Sequence, residues 1–328
     1  MTEHRQVVFT DVNEVALEAF TPPNTPLPDD HVEGRTLYST ISSGTELAVL
    51  QGHLGRHYPT TPGYAAVLEL TAVGRDVTQL AAGDIVFGMA SHRSFSRLPA
   101  AEAVPVPGGL APEQAGLARL MGVTMSTLVT TTARPPDQVL VSGLGIVGLL
   151  GAQVFQAAQY EVCACDPDER RQELARQCGL RRVAATPPMD DPAVAGHVAL
   201  ALECSGHEAA TLAAVQMVRQ RGEVVLVGVP WVRRTELSAF DLCHAVFHKY
   251  AVLRSGWEWE VPRRDTEFRI GSQFGNFRRA LQWLEAGQVK VEGLYEVFAP
   301  ADAARAYQGL REHSLDKLAV VLDWTGED

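Results

Sequence analysis

The stretch VLVSGLGIVGLLGAQ, residues 139–153, constrains the fold more than any other part of the chain. Its first residues read as a buried strand, and Gly143, Gly145 and Gly148 then follow at GxGxxG spacing. The residues after them have helical spacing, with small side chains on one side. In that context the first glycine permits a tight turn, the second lets backbone approach a pyrophosphate, and the third lets helix pack on strand. The helix N-terminus adds free N–H groups and a partial positive charge. A second strand, YEVCACD (160–166), ends in Asp166, about twenty residues beyond the first glycine, where a carboxylate can accept both ribose hydroxyls of NAD and repel a 2′-phosphate. Arg170 and Arg171 follow at once and could cover such a phosphate. The expectation is therefore NAD(H), with NADP(H) left open.

The expected dinucleotide contacts are Gly143, Leu144, Gly145, Ile146, Val147 and Gly148 in the loop, Asp166 and Arg171 after the next strand, and Cys204 and Gly228 further on. Around this unit the chain alternates strands with helices. A polar helix, DERRQELARQCG, closes at Gly179, and the strands HVALALECSG and GEVVLVGVP flank a helix near residues 207–219. That alternation indicates βαβ units and a doubly wound parallel sheet. Residues 7–107 read differently, as short β-type runs broken by Pro and Gly: QVVFT, VEGRTLYSTIS, AAVLELTAVG and DIVFGMA. They predict an antiparallel, barrel-like domain. Residues 112–132 look helical, and helices at NFRRALQWLEAGQ and DAARAYQGLRE with strands at EVFAP and LAVVLDW finish the chain.

A formal net charge of −11 and scattered arginine doublets argue against nucleic acid as partner. No window approaches the roughly 18–20 unbroken apolar residues of a membrane helix, and no charged start with an apolar stretch opens the chain, so a cytoplasmic location is expected. Five cysteines without a CxxC pair are neither a disulfide framework nor a cysteine zinc lobe. Cys163 and Cys165 share one strand face and read as core.

The order of six pieces, ISSGTEL (41–47), TPGYAAVLELTAVG (61–74), AAGDIVFG (81–88), VLVSGLGIVG (139–148), ALECSGHEAA (201–210) and GEVVLVGV (222–229), resembles the medium-chain dehydrogenase/reductase superfamily over essentially the whole chain. The SSGTE and PGY variants look most like the branch of bacteriochlorophyllide dehydrogenases and alcohol dehydrogenases of biosynthetic clusters. The resemblance implies an α/β protein with a GroES-like catalytic domain from 1–117 and 257–328, a Rossmann domain at 118–256 between them, and an active site in the cleft. It also implies a homodimer or homotetramer pairing near 224–229 or 250–254.

Zinc-dependent members carry Cys-Gly-Thr-Asp-like and Gly-His-Glu stretches. Here those positions read Ser43-Gly44-Thr45-Glu46 and Gly63-Tyr64-Ala65. Neutral hydroxyls are poor substitutes for thiolate, imidazole and carboxylate, so a zinc-independent member is expected. The oxygen that becomes an alkoxide then needs another stabiliser. Tyr64 is the candidate donor, with Ser43 and Thr45 as hydrogen-bonding or relay groups; a tyrosine that merely fills vacated space is the other reading. His53 and His57 sit on a loop between the two motifs where substrate would enter, and His92 has similar status. Glu46 is expected to make a structural hydrogen bond. His244 and His248, with Asp241 a turn earlier, could grip a metal or line a polar helix face. Trp257 and Trp259 suit either a substrate wall or an oligomer contact.

The reaction this implies is hydride transfer between nicotinamide and a secondary alcohol or ketone, with a small molecule as substrate. Two alternatives stay open: an NADPH-dependent reductase of a quinone or enone double bond, and a dinucleotide-binding protein without turnover.

Overall fold

The computed structural model describes residues 4–326. In chain order its first elements are β1 (His4–Asp11), β2 (Glu14–Phe20), β3 (His31–Thr40), α1 (Ser43–Leu50), β4 (Ala66–Val73), β5 (Ile85–Gly88), β6 (Phe95–Pro99), β7 (Val104–Pro105) and α2 (Pro112–Ala115). Next come α3 (Ala118–Thr130), β8 (Gln138–Ser142), α4 (Ile146–Ala157), β9 (Glu161–Cys165), α5 (Glu169–Gln177), β10 (Arg182–Ala184), β11 (Val198–Glu203), α6 (Glu208–Met217) and β12 (Val218–Leu226). The chain ends with α7 (Ala239–Lys249), β13 (Val252–Ser255), α8 (Gln273–Glu285), β14 (Tyr295–Phe298), α9 (Ala303–Glu312) and β15 (Ala319–Asp323).

The chain divides into two units. One comprises Met1–Arg119, Phe277–Glu285 and Val291–Asp328; the other comprises Leu120–Asn276 and Ala286–Lys290. Residues 257–276, assigned above to the returning catalytic segment, group with the second unit.

In the second unit six strands form one sheet in the order β10-β9-β8-β11-β12-β13, every neighbouring pair parallel. Numbered from β8, that order is 3-2-1-4-5-6, the doubly wound arrangement in which the direction of strand order reverses between the first and fourth strands. Parallel strands covered on both faces become continuous apolar runs, and Val139, Leu140, Val141, Leu200, Ala201 and Leu202 all have no exposed surface. The short β10 was not foreseen. Three residues are too few to carry a period.

The first unit holds the two-stranded β1-β2 pair and a seven-stranded sheet, β14-β15-β3-β4-β5-β7, with β6 added on β3. Its pairs are antiparallel except β14 with β15. β3 pairs with β4 with register shifts at Glu33/Gly34 and Thr36/Tyr38, and it also pairs with β6 along 31–35 and with β15 along 38–40. Gly34 is needed at the first shift, since a Cβ there would lie 2.1 Å from the Glu69 carbonyl oxygen. A core of Val7, Phe9, Ile41, Leu50, Tyr307, Val320 and Leu322 packs α1 and α9 on this sheet.

Candidate active site

The glycine loop lies in the second unit at the direction reversal. Gly143 adopts φ +93°, and a Cβ on it would sit 2.8 Å from the Ser205 nitrogen, so the turns after β8 and β11 abut there. Gly148, in the first turn of α4, leaves no room either, because a Cβ would fall 1.8 Å from the Gly143 carbonyl oxygen. Gly145 differs: nothing lies within 4 Å of where its Cβ would be. The open space in front of the α4 N-terminus is a cradle for a phosphate group. Ile146 and Val147 begin the helix, and Leu144 is fully buried.

Asp166 directly follows β9 and is almost fully buried. Its Oδ2 accepts from the Leu144 N–H at 2.7 Å and the Arg171 Nη1 at 3.3 Å, while Oδ1 accepts from the Asp168 N–H at 2.9 Å. Each Oδ2 lone pair is thereby engaged, and Oδ1 keeps capacity for a hydroxyl. The residues present therefore fit a dinucleotide. Gly228 packs backbone to backbone, its Cβ position being 2.4 Å from the Gly206 nitrogen. Burial pushes the Cys204 thiol well above its usual range, and its Cβ faces Gly148, so it acts as a packing group.

The second centre is in the first unit, around Tyr64. Gly63 takes φ +97°, and its Cβ position would lie 2.6 Å from the His92 nitrogen and 2.8 Å from the imidazole. The PGY turn thus folds directly over His92 and sets Tyr64 down beside α1. The Tyr64 hydroxyl donates to Ser42 Oγ at 2.5 Å, with the Thr45 side chain as a further partner. Among the described residues, Ser43, the first residue of α1, makes no hydrogen bond to it; the residue before it does. Arg119, at the start of α3 and only 3% exposed, places its guanidinium carbon 4.5 Å from the Tyr64 ring centre and 5.6 Å from that of Phe277. Burial raises the Tyr64 pKa, Arg119 pulls it down, the Glu46 carboxylate raises it, and the Ser42 and Thr45 hydroxyls lower it; the net shift is upward. Arg119 escaped the sequence reading, although a lone arginine inside the apolar run GLARLMGV was a signal.

Behind Tyr64 lies a buried polar network. Glu46 Oε1 accepts from the Ser42 N–H at 2.8 Å. Its Oε2 takes the Tyr307 hydroxyl at 2.5 Å and His92 Nε2 at 3.0 Å. Trp324 Nε1 donates to Ser39 Oγ at 2.8 Å, which leaves the Ser39 hydroxyl proton for His92 Nδ1, also at 2.8 Å. That assignment puts the His92 proton on Nε2, facing the carboxylate. His92 is not a loop residue in contact with solvent: it has no exposed surface and is held on both ring nitrogens.

His53 and His57 are exposed on the segment after α1, and among the described residues no hydrogen bond ties either ring to Tyr64, Ser42 or Thr45. The neighbouring Tyr58 instead donates to the Val49 carbonyl at the end of α1. His244 and His248 lie side by side on α7, their rings tilted by 52° with centres 4.2 Å apart. Trp257 and Trp259 are 61% and 46% exposed.

A zinc ion does not fit these residues. Ser43, Tyr64 and Ala65 offer two hydroxyls and a methyl, and among the described residues no three His, Cys, Asp or Glu side chains converge. His92 and Glu46 spend their bonding capacity on each other and on Ser39, Ser42 and Tyr307.

The zinc-binding dehydrogenase family model matches residues 146–259. A sorbitol dehydrogenase from Halalkalibacterium halodurans is 23% identical over 244 residues, 62% of this chain and 71% of that protein. An alcohol dehydrogenase from Geobacillus stearothermophilus is 28% identical over 209 residues, 52% of this chain and 62% of that protein. Among solved structures, galactitol-1-phosphate dehydrogenase from Escherichia coli shares the fold with a TM-score of 0.81 at 17% identity, covering 97% of this chain and 99% of that one. The 3-2-1-4-5-6 sheet with its glycine loop, the zinc-binding dehydrogenase model matched at residues 146–259 and the fold shared along both units make the chain similar to medium-chain, alcohol dehydrogenase-like dehydrogenases.

Proposed function

We propose that the chain is an NAD(H)-dependent oxidoreductase that interconverts a secondary alcohol and a ketone without zinc. The observation that carries this reading is Tyr64, a half-buried phenol held by Ser42 and Thr45 where, among the described residues, no metal ligand set converges. A bound nicotinamide supplies or accepts the hydride. The chain's residues do the rest. The open space at Gly145 and the α4 N-terminus receive the pyrophosphate, and Asp166 Oδ1 accepts a ribose hydroxyl. Tyr64 donates its proton to the substrate oxygen in reduction and takes it back in oxidation, while the Ser42 and Thr45 hydroxyls turn to donate to the phenolate.

Because its pKa is raised, Tyr64 keeps its proton through neutral pH. Reduction needs that proton and should slow as pH climbs through the Tyr64 pKa; oxidation needs the phenolate and should quicken over the same range.

The test combines metal analysis with NADH and NADPH titrations followed by fluorescence, then single-turnover hydride transfer by Tyr64→Phe. The expected result is tighter NADH and a loss of about 100-fold or more in rate with unchanged cofactor affinity. An undiminished rate removes Tyr64 from the reaction. One observation favours a second reading, NADPH-linked reduction of a quinone or enone: Arg171 pairs with Asp166 and offsets the repulsion of a 2′-phosphate. Tighter NADPH would move the assignment there.

A further inference from the structure

Passing a proton from Tyr64 to a substrate oxygen breaks the phenolic O–H bond, forms the substrate O–H bond and leaves a tyrosinate, which water reprotonates. That step creates a negative charge inside a partly buried site, where an uncompensated anion is costly. Among the described residues, the charged or titratable groups seen to bear on the Tyr64 phenol belong to the first unit: Arg119 of α3, Glu46 of α1 and, behind Glu46, Tyr307 of α9. Glu46 opposes the new charge. Arg119 is the cation among them, and it is held in place: 3% exposed, with its guanidinium carbon 4.5 Å from the Tyr64 ring centre and 5.6 Å from that of Phe277. A guanidinium stacked on an aromatic face is held by both dispersion and the ring quadrupole, so it also restricts the ring's orientation.

We propose that Arg119 is the fixed cation of this centre, a positioning residue that orients the Tyr64 ring and sets how readily its hydroxyl gives up a proton. It stands in for the positive charge that a metal would bring, and it acts through the phenol, without touching the substrate. The inference rests on the reading of Tyr64 as proton donor given above.

The experiment places a fluorotyrosine at position 64 of the full chain, whose more acidic phenol titrates under milder conditions, and follows its fluorine resonance against pH. Arg119→Gln should move the ionisation midpoint up by on the order of one pH unit. In the chain with its natural tyrosine, Arg119→Gln should cut alcohol oxidation at neutral pH by on the order of tenfold, in kcat with KM little changed. Arg119→Lys should recover part of both effects, since it restores charge but not the planar stack. An unmoved midpoint in Arg119→Gln overturns the inference, whatever Tyr64→Phe does. A moved midpoint together with an undiminished Tyr64→Phe rate upholds the coupling and removes the reading of Tyr64 instead. Should Arg119→Gln fail to fold, Arg119→Met and Arg119→Lys carry the same comparison: a moved midpoint in either supports the inference, and an unmoved one overturns it.

Discussion

His92 is bonded through both ring nitrogens and has no exposed surface, so its work is to hold Glu46 and Ser39 in place. His92→Phe removes one donor from a buried carboxylate and one acceptor from a buried hydroxyl. Urea unfolding should show a loss of roughly 2–4 kcal/mol. Substrate KM of the folded fraction should stay unchanged, and a raised KM would instead place the imidazole against substrate. The sequence pointed to the right neighbourhood here, since Thr45, Glu46, Gly63 and Tyr64 all belong to one cluster. Ser42, the residue that bonds Tyr64, was not among the residues singled out. At a helix start, neighbouring side chains point about 100° apart, so Ser43 and Ser42 face different ways although their spacing to Tyr64 is nearly the same. Arg119 was harder still: its apolar neighbours signalled burial, but no spacing in the sequence tells which ring a guanidinium will lie over.

The strand, glycine turn and helix β8–α4 were legible because each glycine answers a separate steric demand, and those demands can be separated by substitution. Gly145→Ala meets open space and should shift unfolding by less than about 1 kcal/mol while weakening dinucleotide binding by about tenfold or more. Gly148→Ala drives a methyl into the Gly143 carbonyl and should lower both stability and binding. Equal effects from the two substitutions, in paired urea and NADH titrations, would mean that the loop is not a phosphate cradle. Other elements were not legible. The eight residues of α1 begin Ser-Gly-Thr, which favours a turn, and the helix exists because Val49 and Leu50 are drawn into the core with Tyr307. β6 spans five residues whose buried positions, Ser96 and Leu98, mix a hydroxyl with one apolar side chain.

Across the molecule, all five cysteines fall in the dinucleotide-binding unit: Cys163, Cys165 and Cys178 are buried, Cys204 is partly covered, and Cys243 is exposed on α7. Burial pushes the Cys165 thiol up to about 12 and raises Cys163 and Cys204 as well. A thiol reagent at mildly alkaline pH should therefore label one site per chain quickly, at Cys243, and the other four only as this unit opens, more slowly when NADH is bound. Fast labelling of two or more sites would contradict the packing. At this scale, the composition and element order were enough to read a parallel unit embedded in a β-rich one, because alternation and apolar runs are properties of long segments. The boundary near residue 276 was not readable, since helix α8 runs through it without a break in period. One link in the first unit has a wider consequence. Tyr64 reaches Ser42 through a hydroxyl, but Ser42 reaches Glu46 through its peptide N–H, and a peptide N–H keeps its proton. The buried acid and its two partners are thus insulated from the phenol. They contribute a steady electric field but no reservoir, so in the proposed reaction the protons that Tyr64 gives and takes are exchanged with bulk water.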